Sequence, residues 1–172
     1  MNTWQTLRQI QYLLRAQTWT GGATTVFASS SVLITAAPRE EVVEKIRLPM
    51  AIIKPGGNTS DADDPDLLEQ EVILSLGVGH AGDAYGESPM VGSHRTSQTE
   101  SKGRGLLEIE EEMFNALELL NTDDGVVIQL KASSAPRPEY VSGQYMLFRD
   151  YLFGLTVTAD RYYHPVMNLD QA

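Results

Sequence analysis

GRGLLEIEEEMFNALELLN, from Gly103 to Asn121, is the stretch on which the fold turns. Leu106, Ile109, Met113, Leu117 and Leu120 fall three or four residues apart, and Leu107, Phe114 and Ala116 widen the stripe. Glu108, Glu111, Glu112 and Asn115 take the other side, so the spacing predicts a one-sided helix that needs a partner surface. Glycines precede it, an Asn-Thr-Asp-Asp-Gly turn follows it, and good helix formers fill it. Strand-like runs lie on both sides. The apolar helix face is therefore expected to lie across the antiparallel sheet that those strands build.

Upstream, Trp4, Leu7, Ile10, Leu13 and Leu14 set a second helical stripe from about Thr3 to Ala16, with Arg8 and Arg15 on its polar side and Gly21-Gly22 ending it. TTVFASSSVLITAA, residues 24–37, predicts one strand or a ragged pair closed by Pro38, and PREEVVEKIR a short helical turn. LPMAIIK, residues 48–54, reads as a strand stopped by Pro55-Gly56-Gly57. In LLEQEVILSLGVG, Val72, Leu74, Leu76 and Val78 alternate with Ile73, Ser75 and Gly77, the pattern of a half-buried strand. Beyond the central helix VVIQLKA is a strand, and Pro136 and Pro138 break the chain before EYVSGQYMLFRDY. Tyr151, Phe153, Leu155, Val157 and Ala159 then alternate with Leu152, Gly154, Thr156 and Thr158 to about Asp160. The expected class is α+β, a mainly antiparallel sheet with two helices packed on one face.

A chain of 172 residues with 42% hydrophobic residues can bury one real core, so residues 1–172 are expected to form a single domain. Gly79 to Lys102 stands out from it, rich in Gly, Ser and Thr, as does a tail from about residue 161. A loop of that length inside a compact domain points to function, disorder or ordering by a partner. Tyr85, Met90 and Val91 are its few large apolar side chains and hence the candidates for an oligomer or partner interface. The lack of cysteine removes disulfides and thiol chemistry. A net charge of -10 repels phosphate backbones, so specific nucleic-acid binding is not expected, although DNA passing through a non-adhesive conduit is compatible with it. No run approaches the roughly 18 apolar residues of a membrane-spanning helix, and the start lacks a signal peptide's cleavage site.

Motifs that would carry chemistry fail on inspection of their surroundings. Gly77-Val78-Gly79-His80-Ala81-Gly82 matches G-x-G-x-x-G, but DAYGESPMVGS follows where a phosphate-binding helix should begin, which indicates a flexible glycine-rich loop. Asp61, Asp63, Asp64 and Asp66 lack the spacing of an EF-hand and read as a solvated acidic loop. His80, His94 and His164 are widely separated, Ser88 and Ser93 lack a nucleophile elbow, and consecutive glutamates at 110–112 point around a helix. No catalytic residue, no cofactor and no metal site is expected.

The order of elements resembles the tail terminator proteins of long-tailed bacteriophages. The likeness lies in WQTLRQIQYLL, RLPMAIIK, EQEVILSLGV, LLEIEEEMFNALELL, VVIQLKA and YLFGLTVTA, and spans about residues 3–160. It implies an α+β subunit of a hexameric ring that caps the tail tube, stops its polymerisation and offers a head-joining surface. The implied partners are further copies of the chain, the tail tube protein and a neck or head-completion protein. The implied location is the head-proximal end of the virion tail, assembled in the host cytoplasm, and the family has no catalytic residues. A neck or other tube-end subunit of the same particle fits the same pattern. A reading of another class, a small acidic enzyme, would require a loop-built pocket with convergent polar groups.

Overall fold

The computed structural model describes residues 3–43, 45–60, 67–79, 90–92, 104–122, 126–141 and 144–158. Among them are three helices, α1 (Thr3–Ala16), α2 (Arg39–Val43) and α3 (Leu106–Glu118). The strands are β1 (Val32–Ile34), β2 (Met50–Ser60), β3 (Leu67–Gly79), β4 (Val126–Ser133), β5 (Arg137–Val141) and β6 (Gln144–Thr158). They form one 6-stranded sheet in the order β1-β2-β3-β6-β4, with β5 also on β6. β1 runs parallel to β2 and every other pairing is antiparallel. The fold is α+β with a mixed sheet.

Side chains alternate across a strand, so the register decides which residues share a face. Ile53 is opposite Leu74, Leu74 opposite Tyr151, and Val72 opposite Phe153. These rows join Leu7, Ile10 and Leu14 of α1 and Leu106, Ile109, Met113, Ala116 and Leu117 of α3 in one buried apolar cluster. The intervening residues Met50, Ile52, Met146 and Phe148 form a second, smaller cluster with Val42 and Val43 of α2. Both faces are thus apolar at this end of the sheet, which explains why Met50 to Ile53 are hydrophobic without alternation. Gly77 marks the crossing point of that second cluster. A Cβ there would lie 2.3 Å from Phe148 Cε1 and 2.9 Å from Met50 Cγ, so the ring of Phe148 covers a position that only glycine leaves open.

Several expectations need correction. Residues 24–37 yield one short strand, β1, and an isolated bridge from Thr25 to Thr18, with a turn at Ser29–Ser31 before β1. The Ser31 N–H closes that turn by donating to the carbonyl of Ala28 at 2.8 Å, and the Ser31 hydroxyl donates to the carbonyl of Arg47 at 2.7 Å. β2 does not stop at Pro55 but continues to Ser60, because a register shift between Pro55 and Asn58 absorbs the residue that cannot donate. The run LLEQEVILSLGVG is strand β3 as its alternation predicts, so Gly77 and Gly79 of the G-x-G-x-x-G match lie in that strand and not in a flexible loop. Pro138 lies within β5, and the last strand starts at Gln144, well before Tyr151. β4 and β5 lie end to end along the same edge of β6, where a missing donor is tolerated.

The central helix follows its expected stripe, with Leu106, Ile109, Met113 and Leu117 buried. Two residues depart from it. Leu107 is exposed, and Glu112, placed by periodicity on the wet side, is buried. Trp4, counted in the apolar stripe of α1, is exposed as well. Asp61 to Asp66, His80, His94, His164, Tyr85, the tail from 161 and most of Gly79 to Lys102 lie outside the described residues.

Candidate functional site

The interface candidates of the long connecting stretch are reached through the start of α3. Helix starts leave backbone N–H groups without helical partners. Here the N–H of Gly105 donates to Glu108 Oε2 at 2.9 Å, and Arg104 donates to Glu108 Oε1 at 2.6 Å. The Arg104 guanidinium also lies over the Trp19 ring, 4.6 Å from its centroid, which fixes the entry to the helix against the segment after α1. Met90 to Gly92 rests on this corner. A Cβ on Gly105 would fall 2.2 Å from Gly92 N, 2.5 Å from the Val91 carbonyl carbon and 2.6 Å from Met90 O. Backbone meets backbone there, and only glycine permits it.

This seat separates the candidates from one another. Met90 is half-buried and packs against the main apolar cluster, so its side chain serves the subunit's own core. Val91 is exposed, and Tyr85 lies outside the described residues. Of the described candidates, Met90 turns to the core and Val91 to the outside.

Two polar clusters escaped the sequence reading. In the first, Glu112 Oε1 accepts from the Thr20 N–H at 2.7 Å and Oε2 from Gln17 Nε2 at 2.8 Å, tying α3 to the segment after α1. Burial alone would raise its pKa, but the bonds from Thr20 and Gln17 outweigh that and hold the carboxyl below its ordinary value of 4.5. In the second, Ser75 and Asp150 are directly opposite each other on β3 and β6. Asp150 Oδ1 accepts from the Ser75 hydroxyl at 2.5 Å and from Arg39 at 2.7 Å, while Oδ2 accepts from Arg137. Arg39 also bonds Glu139 at 2.6 Å and lies 4.6 Å above the Phe148 ring. One carboxylate thus joins α2, β3, β5 and β6.

Such a carboxylate suits structure better than acid-base catalysis. Its oxygens are occupied by a hydroxyl and two guanidinium groups, so it has little basicity to offer a substrate. Burial again opposes the charged form, and Ser75, Arg39 and Arg137 prevail over it, lowering the pKa from 3.8. A group with a depressed folded pKa contributes stability that is present above its unfolded pKa and lost as pH falls through the folded value. Asp150→Asn is therefore expected to lower Tm at neutral pH, with the gap to wild type closing as the pH falls below about 4. Thermal unfolding followed across that range checks this, and a gap that stays constant in acid would refute it.

No three-member group of His, Asp and Glu among the described residues could hold a metal ion. Compared with known protein families and with curated proteins, the chain gives no match. The residues that sequence reasoning missed, Arg39, Ser75, Arg137 and Asp150, carry no local motif. Only the strand register and the seat of α2 bring them together.

Proposed function

We propose that this chain is a ring-forming tail terminator of a long-tailed bacteriophage, a structural subunit that caps the tail tube, stops its growth and presents a surface for the head. The observation that carries the reading is the order of elements among the described residues, α1, β1, α2, the antiparallel pair β2 and β3, then α3 and the closing antiparallel strands β4, β5 and β6. That order supports the reading. The acidic composition supports it too, since a subunit around a DNA passage is better served by repelling phosphate than by binding it. The proposed partners are further copies of the chain, the tail tube protein and a neck or head-completion protein. The proposed role involves no catalysis and no cofactor.

Interrupting the reading frame in the particle's genome is expected to give tubes of irregular length and unjoined heads, as seen by electron microscopy. Supplying the protein in trans should restore both. Particles of normal length and normal joining without the protein would exclude the role.

A further inference from the structure

α1 and α3 contribute their buried stripes to the same apolar cluster and leave their opposite faces outside. Those outer faces differ in charge. α1 contains Arg8 and Arg15 and no acidic residue, in a chain whose net charge is -10. Along its exposed side run Trp4, 57% exposed, Arg8, and Tyr12, 52% exposed, each four residues from the next, with the Arg8 guanidinium 5.8 Å from the Trp4 ring centroid. Arg8 makes no ion pair with a carboxylate among the described residues.

α3 is the reverse, with five glutamates and no basic residue. Glu108, Glu110 and Glu112 are spent within the subunit, on Arg104, Arg149 and the Thr20 and Gln17 donors. Glu111 and Glu118 face outward with no ion-pair partner among the described residues, beside Leu107, which is 44% exposed. Glu111 lies four residues beyond Leu107, about 6 Å along the helix, the same step that separates neighbours in the aromatic-basic stripe of α1.

We infer that the occupant of the α1 stripe is the α3 stripe of a second copy of this chain, with Trp4 and Tyr12 covering apolar surface around Leu107 and Arg8 pairing with Glu111. Aromatic and arginine side chains suit such a contact, because they bury much area and pair with carboxylates in a fixed geometry. The contact is heterologous. Each copy offers its α1 to one neighbour and its α3 to another, the arrangement that closes into a ring when the rotation allows. The inference rests on the ring reading and names the surfaces that would build it.

The chain contains no cysteine, so single cysteines report the contact cleanly. Arg8→Cys protein mixed with Glu111→Cys protein and a short bis-maleimide is expected to give a cross-linked pair of chains. Arg8→Cys mixed with Lys45→Cys, an exposed position after α2, should give none. Absence of the first product, or equal yield of the second, overturns the contact. In sedimentation velocity, Arg8→Glu or Glu111→Arg alone should weaken self-association at least about tenfold, and the two changes combined in one chain should restore much of it. Single reversals without effect also overturn it. Normal tail capping without the cross-link would refute this contact and spare the terminator role, whereas the cross-link in a protein that caps no tails would refute the role.

Discussion

Met113→Asp is expected to destabilise the fold by several kcal/mol and to lower Tm sharply. Met113 is fully buried in the cluster where α3 meets the sheet, among Leu106, Ile109 and Leu117 of its own helix. The substitution removes packed apolar surface, which costs about 2 to 5 kcal/mol for large-to-small changes in cores. It also places a carboxyl where it must stay unpaired or protonated, at a further cost of a few kcal/mol. A domain of this size has only about 5 to 15 kcal/mol in hand. Met113→Leu keeps volume and apolarity, so it should cost less than about 1.5 kcal/mol. Circular dichroism on both variants separates the effects, and an aspartate variant that melts with wild type would mean that α3 does not cover this core.

The legibility of the chain follows the range of the forces involved. The stripe of Ile109, Met113 and Leu117 was readable because a helix repeats every few residues, and the alternation of Val72, Leu74 and Leu76 because a strand repeats every second one. What local pattern could not show was where the sheet is covered on both faces. Met50 to Ile53 read as strand, yet the second cluster under α2 appears only once Met146 and Phe148 are brought alongside. Glu112 was misread for a related reason. Its periodicity is that of a wet face, but the buried site supplies Thr20 and Gln17 as donors from a segment far away in sequence. The strand boundaries at Pro55 and Pro138 failed because proline forbids a donor and not a strand, and a register shift or an edge removes the need for one. Of the candidate interface, the sequence pointed to apolar side chains in the glycine-rich stretch. Met90 turned out to be committed to the core, and the outward stripes of α1 and α3 became visible only after burial had separated Trp4 from Leu7 and Leu107 from Leu106.

Gly105→Ala is expected to lower stability by about 1 to 3 kcal/mol, a large effect for the addition of one methyl group. Gly105 has φ -88 and ψ 168, an extended conformation open to any residue, so the cost does not come from backbone strain. It comes from the neighbour. The new Cβ would fall 2.2 Å from Gly92 N and 2.6 Å from Met90 O, and backbone atoms cannot turn aside as the end of a side chain can. The Met90 to Gly92 segment must therefore lift away, and Met90 loses its packing against the main cluster. Helix capping offers a competing explanation, since alanine is also a poor residue at this position. Gly105→Ser separates the two. Serine is a favoured cap, so it should match or exceed wild type if capping governs, but it carries the same Cβ and should melt as low as alanine if the clash governs. Low melting of both variants, with faster hydrogen exchange at residues 90–92, is the expected result. A serine variant as stable as wild type would show that residues 90–92 do not depend on their seat at Gly105.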